Sequence, residues 1–206
     1  MSGLLEFDYQ LMEWLNTDAF PFLDRIMWYF SEKLFWIPIY LLLLYALYKK
    51  YSTKVFVWVI VFLALSVLIN DQVASGIFKN WVGRFRPSHD PLIQTKLHYS
   101  LEPNGQVYKG GKFGFYSSHA ANYAGVAVLF LLWMRPVKRW VAALCVLWVL
   151  LISYSRIYLG VHFPSDILMG LTMGTLVGFL CFFLWEKTMI KLYPNDTSLR
   201  TRAASI

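Results

Sequence analysis

Arg156, His162 and Asp166 fall within the twelve residues S-R-I-Y-L-G-V-H-F-P-S-D, Ser155 to Asp166, between two long apolar runs. Ionisable groups are costly in a segment kept from water, so a guanidinium, an imidazole and a carboxylate in one such stretch point to function. Two other stretches carry comparable chemistry. K-N-W-V-G-R-F-R-P places Lys79 and Arg86 seven residues apart. A continuous helix would turn both the same way, about 10 Å apart along its axis. Gly83 and Pro87 predict a looser chain there, which lets the two cations converge. Alone, the pair reads equally as cations snorkelling at a helix end. G-F-Y-S-S-H-A-A-N-Y puts Ser117, Ser118 and His119 at a predicted helix N-terminus, where unpaired N–H groups favour an anion. Taken singly, either serine is an ordinary N-cap and His119 a polar group satisfied at an interface.

Together these stretches say more. Lys79, Arg86 and Arg156, a helix N-terminus, His119, His162 and Asp166 suit a tetrahedral oxyanion, which arginine can bind through two parallel hydrogen bonds. Two histidines allow one to be a nucleophile and the other a general acid. A divalent-metal phosphatase would want several carboxylates, and Asp166 is the only one near the histidines in sequence, so no metal and no cofactor is expected.

The elements that must position these groups follow from composition. The chain of 206 residues is 58% hydrophobic, 18% aromatic and only 15% charged, which predicts one polytopic membrane domain. No basic n-region or cleavage site precedes the first apolar run, so the spans are expected to direct insertion. Residues 3 to 30 read as an amphipathic interfacial helix, then a short aromatic piece from Phe20 to Phe30. Five spans are expected: about Lys33 to Tyr48 with a kink at Pro38, Val55 to Phe78, Ser118 to Met134, Trp140 to Tyr154, and Pro164 to Trp185. Residues 188 to 206 read as a frayed basic tail. Lys49, Lys50, Lys54, Arg135, Lys138, Arg139, Lys187, Lys191, Arg200 and Arg202 collect on one side, against Glu6, Asp8, Glu13, Asp18, Asp24 and Glu32 near the N-terminus on the other. The positive-inside rule then puts the C-terminus in the cytoplasm and all three chemical stretches outside.

The net charge of +7 is assigned to basic residues flanking spans, not to nucleic acid. Cys145 and Cys181 lie in apolar runs and read as small core residues. Gly170, Gly174 and Gly178 form a small-residue face, expected to pack within the monomer in preference to a dimer seam. Arg84 is expected to snorkel to headgroups, and His89 and His98 to be solvated. Tyr99, Tyr108, Phe113 and Phe115, in the long outer loop, fit either a lid or an interfacial aromatic belt.

The three stretches resemble the three-part signature of the type-2 phosphatidic acid phosphatase superfamily. Lys79, Arg86 and Pro87 match its first part, and Ser155, Arg156, His162 and Asp166 its third, at the same spacings. In the second part Ser117 and His119 match, whereas Tyr116 stands for a proline and Ser118 for a glycine. The resemblance implies an all-α membrane bundle and metal-independent phosphoester hydrolysis through a phosphohistidine. It implies that His162 attacks phosphorus, Asp166 holds and stabilises its imidazole, and His119 protonates the leaving oxygen and then activates water. Lys79, Arg86, Ser117 and Arg156, with the amides near Ser118 and His119, would hold the phosphoryl oxygens. Pro164 fits the first turn of the last span, which puts His162 just before that helix and Asp166 inside its first turn. The helix dipole then favours the ionised carboxylate.

The expected substrate is a lipid phosphate or diphosphate reached sideways from the outer leaflet of a bacterial inner membrane. By analogy within the family, lipid A phosphate and undecaprenyl diphosphate rank together, ahead of phosphatidylglycerol phosphate. A phosphotransferase passing the same phosphoryl group to another lipid is the competing enzyme. A non-catalytic anionic-lipid binder would need only the cations, and the presence of His119, His162 and Asp166 argues against it.

Overall fold

A backbone in hydrocarbon must satisfy its own N–H and C=O groups, so apolar runs of this length become helices. The computed structural model describes residues 3–16, 21–102 and 105–200; Asp18, Phe20 and Arg202 lie outside the described residues. The helices are α1 (Gly3–Leu15), α2 (Pro21–Ser31), α3 (Ile37–Lys50), α4 (Thr53–Asp71), α5 (Lys79–Val82), α6 (Ser118–Trp133), α7 (Arg139–Tyr158), α8 (Pro164–Leu192) and α9 (Thr197–Arg200). A π-helical segment, Gln72–Phe78, joins α4 to α5 without a break. Among the described residues there is no strand, only isolated bridges such as Phe85 to Phe113.

Thr53–Val82, Arg139–Tyr158 and Pro164–Leu192 are long and apolar enough to cross a membrane. Phe22–Ser31 and Leu34–Lys50 make a further candidate only as a pair, bent by 76°. The apolar Ser118–Trp133 is shorter, at 16 residues. Pro38 does not kink α3. It sits in the helix's first turn, where its missing N–H has no partner to lose, so it starts the helix instead.

α6 lies at the centre and α8 packs along it. Built Cβ atoms on Gly170 and Gly174 would fall 2.5 Å from the Ser117 carbonyl oxygen and 2.0 Å from that of Ala121. The glycine face is therefore spent on packing inside the chain, with backbones in direct contact. The main core surrounds Trp133, Trp185, Tyr51 and Trp148, and the Tyr51 hydroxyl donates to the Trp133 carbonyl at 2.7 Å.

The two ends of the bundle differ in chemistry. At one end Lys50 donates to the Arg135 carbonyl, and Asp196 accepts from Ser52 and Ser198. The segment after Glu186 is thus not simply frayed: α8 runs on to Leu192, and residues 196 to 198 dock on the α3–α4 turn. The opposite end holds α1, the long loop and all three chemical stretches.

α1 is amphipathic, but its inward face is not its most apolar one. Asp8 and Met12 are buried, whereas Leu4, Phe7 and Trp14 are exposed. Met12 packs with Ile93 and Leu97 of the loop and with Phe163.

Candidate active site

The first stretch bends for two reasons. The π segment offsets the helix by one residue before Lys79, and Gly83, in the left-handed conformation (φ 61°), closes α5 by donating to the Lys79 carbonyl. The chain then runs extended and pairs with the end of the loop: Arg86 N–H donates to Lys112 and Gly114 N–H to Arg84. The Arg86 guanidinium folds inward, with Nε donating to the Phe113 carbonyl at 3.2 Å and Nη1 to that of Val161 at 3.4 Å. A Cβ on Gly110 would lie 2.8 Å from Arg86 Nη1, and one on Gly114 would lie 3.1 Å from its Cγ and 3.2 Å from Asp166 Oδ2. These glycines let the loop backbone close over the arginine.

The third stretch begins inside a helix. Ser155 and Arg156 belong to the last turns of α7, beyond the expected end at Tyr154. Gly160 (φ 71°) donates to the Ile157 carbonyl and Val161 to that of Arg156, a Schellman closure that turns the chain back sharply. His162 follows, almost wholly buried, and Pro164 opens α8 as expected. Asp166, fully buried in the first turn, accepts the Phe163 N–H through Oδ2 at 3.0 Å. The same oxygen stands 3.6 Å from His162 Nδ1. That is ion-pair range but too long for a hydrogen bond, and Nδ1 has no other partner among the described residues.

At the start of α6, Ser117 is the N-cap and its hydroxyl accepts from Ala120 N–H at 3.4 Å. Its own N–H donates to the Asp166 carbonyl at 3.1 Å, which stitches the second stretch to the third. Ser118 is the first helical residue and His119 the second. Tyr116 is fully buried against Phe78 and Ala74, so the aromatic ring fills space beside the π segment.

Electrostatics bind the group together. Burial, and then the charges of Arg86, Arg156 and Lys79, hold His162 well below its ordinary value, which leaves it neutral at pH 7. Burial and the neighbouring Arg156 push Arg86 down to about 10, still cationic at neutral pH. His119 feels the charges of Arg156, His162 and Arg86. Arg156 donates to the Ser31 hydroxyl and, at 3.0 Å, to the Tyr108 hydroxyl, while its Nε has no partner among the described residues. Lys79 donates to Ser75 at 3.1 Å, one turn back. Among the described residues no cluster of His, Cys, Asp and Glu suits a metal ion.

Two expectations are corrected here. Arg84 does not snorkel: it bonds Asp8 at 2.5 Å, Ser165 at 2.7 Å and Asp166 at 3.1 Å. His98 is not solvated: its Nε2 lies 2.6 Å from Asp24 Oδ1, and its backbone N–H donates to Asn16. Of the loop aromatics, Tyr108 lies edge-on to Trp28, and Phe113 stacks on the partly exposed Phe85. Asp8 and Tyr108 were invisible as partners, because pairs 76 and 48 residues apart leave no periodic trace.

A helical membrane bundle that closes three cations, two histidines and an aspartate around one buried end is the architecture of a membrane-integral lipid phosphatase. The sequence model of the PAP2 superfamily matches residues 56–190, and the chain belongs to that superfamily. It is 36% identical over 203 residues to a lipid A 4'-phosphatase of Bacteroides thetaiotaomicron, covering 98% of this chain and 87% of the relative. It is 37% identical over 182 residues to a lipid A 4'-phosphatase of Porphyromonas gingivalis, covering 86% and 72%. Its fold is similar to that of a transmembrane PAP2-type phosphatidylglycerolphosphate phosphatase from Bacillus subtilis, with a TM-score of 0.64 at 21% identity over 95% of this chain and 90% of that one.

Proposed function

We propose that the chain removes phosphate from lipid A phosphate through a phosphohistidine formed on His162, at the outer face of a bacterial inner membrane. The observation that carries the reading is a shared wall. His119, placed beside His162 and Arg156, also lines an apolar cavity of about 580 Å³ between α3, α4 and α6. Leu43, Leu63, Val67 and Phe130 line its length, and Lys33, Asp71 and Asn122 supply polar groups. Such a shape suits acyl chains with a polar head held at the histidines. The two lipid A 4'-phosphatases among the relatives favour lipid A over undecaprenyl diphosphate or phosphatidylglycerol phosphate.

In the first step neutral His162 forms an N–P bond as the bond from phosphorus to the leaving oxygen breaks, and His119 gives that oxygen its proton. Asp166, 3.6 Å from Nδ1, stabilises the cationic phosphohistidine. Lys79, Arg86 and Arg156 hold the phosphoryl oxygens, with the Ser117 hydroxyl and the Ser118 and His119 amides at the helix start. In the second step a water, deprotonated by His119, attacks phosphorus and frees His162 and inorganic phosphate. No metal or cofactor takes part, and the whole chain works as one membrane-embedded domain with its basic end in the cytoplasm.

Purified protein is tested on lipid A, undecaprenyl diphosphate, phosphatidylglycerol phosphate and phosphatidic acid, with His162→Ala alongside. Phosphate release from lipid A that exceeds the others and vanishes in the variant is the expected result. Activity that survives His162→Ala, or that disappears with a chelator, sinks the mechanism. Phosphate release that falls on adding an acceptor lipid, with phosphorylated acceptor appearing, identifies a phosphotransferase.

A further inference from the structure

Behind Asp166 stand two further charges in an ionic chain, Arg84 and Asp8, that neither proposed step of the reaction uses. Asp166 Oδ1 accepts from Arg84 Nη1 at 3.1 Å, and Arg84 Nη2 donates to Asp8 Oδ2 at 2.5 Å. Asp8 also accepts from the Ser165 N–H at 2.9 Å and the Ser165 hydroxyl at 2.5 Å, and so grips the residue next to Asp166. The Arg84 guanidinium lies over the Phe163 ring, 3.9 Å from its centroid. Asp166 has no exposed side-chain surface, Asp8 has 8% and Arg84 17%, so none of these charges is dissolved in solvent. A surface ion pair contributes little, whereas a buried one has a fixed geometry and leaves an uncompensated charge when one partner is removed.

We infer that Asp8 and Arg84 are positioning residues for the reaction: together they orient the Asp166 carboxylate toward His162, and Asp8 cancels the charge that Arg84 brings. The inference rests on His162 and Asp166 working as proposed above. Asp166 is anchored through both oxygens, by Arg84 on one and the Phe163 N–H on the other, which aims Oδ2 at His162 Nδ1. Arg84 alone would be a poor anchor. Its cation would compete with the phosphohistidine cation for the same carboxylate. With Asp8 the chain reads minus, plus, minus, and a net negative charge faces His162. Asp8 belongs to α1, so docking of this helix completes the site.

The charged and titratable groups around this chain set the sign of the test. His162 faces Arg86 of the extended segment, Lys79 of α5, Arg156 of α7, His119 of α6 and Asp166 of α8, whose other oxygen Arg84 holds. Arg84 faces Asp8 and Tyr9 of α1 and Asp166 of α8, and Tyr9 is in turn bonded to Asp90 of the loop. Removing the Asp8 charge makes the surroundings of His162 more positive, so its protonation moves to lower pH.

Kinetics are measured on the full-length protein with lipid A in mixed micelles, for Asp8→Asn, Asp8→Glu, the double variant Asp8→Asn with Arg84→Gln, and His162→Ala. Asp8→Asn is expected to lower kcat about tenfold with KM within about twofold, the pattern of a support felt in the transition state. The acid limb of kcat/KM should move down by roughly half a pH unit. Asp8→Glu keeps the charge, so its limb stays at the wild-type pH while kcat falls less. The double variant should bring the limb back. A lowered kcat with an unmoved limb in Asp8→Asn marks a merely structural contact and overturns the inference, as do wild-type kinetics beside an inactive His162→Ala. Turnover by His162→Ala overturns the nucleophile assignment and this inference with it.

Discussion

At the scale of single residues, the candidate site keeps an imidazole neutral among cations. Burial and the fields of Arg86, Arg156 and Lys79 all disfavour a proton on His162. The sign follows directly. The depressed group stays unprotonated, as the proposed nucleophile must be, down to a pH below the ordinary histidine value near 6.5. The acid limb of kcat/KM should therefore lie below that pH, with a loss of about tenfold per pH unit once reached. Arg86→Gln removes one of the cations, so the limb of its residual activity should move up toward 6.5; a limb that stays put separates Arg86 from His162. Folding follows the same linkage. Between the folded and unfolded values the unfolded chain binds a proton that the native state refuses, so His162 costs stability as pH falls through that window. The motif residues were legible because each pairs charge with a short fixed spacing. Arg84 was not, because nothing local distinguishes a cation reaching back to Asp8 from one reaching lipid.

Among the elements, the α6–α8 contact sets the spacing of two proposed catalytic groups, since His119 rides on α6 and Asp166 on α8. The bond from Ser117 N–H to the Asp166 carbonyl ties the two helix starts together. Gly174→Ala would drive a methyl to 2.0 Å from the Ala121 oxygen and force the helices apart. It should cost roughly 2 kcal/mol or more of stability, read as a lower unfolding temperature in detergent, with activity falling in step. Gly76→Ala is the control, because its methyl meets only Gln72 Oε1 at 3.6 Å. Equal losses in both variants would deny the contact its special place. The glycine period was readable from sequence, and so were the apolar runs and Pro164 as a helix start. The π segment and the bend between α2 and α3 were not, because both answer to packing from remote parts of the chain. Tyr116 belongs with the π segment: it fills space beside Phe78, and that partner is fixed only once the fold is formed.

At the scale of the whole molecule, the proposed reaction must bring a hydrophobic substrate to a polar site, and the cavity has walls of both kinds. Leu43, Leu63, Val67 and Phe130 line the space between α3, α4 and α6, and His119 reaches it near Lys33, Asp71 and Asn122. Asn122 donates to Asp71 at 2.9 Å, so the polar groups there are tied together before any substrate arrives. An acyl chain buried there, far from phosphorus, would contribute binding energy that can be used to hold the head in line for attack. Ala64 lies on the cavity wall, and a tryptophan there would occupy the space without touching the histidines. Ala64→Trp should lower kcat/KM for lipid A by about tenfold or more, because the lost contacts belong to the acyl chains. A water-soluble phosphate ester such as p-nitrophenyl phosphate, which has no chain to place, should be hydrolysed at close to the wild-type rate. Equal losses on both substrates would mean that the tryptophan had disturbed the site itself. Unchanged kinetics on both would mean that the lipid takes another route to His119.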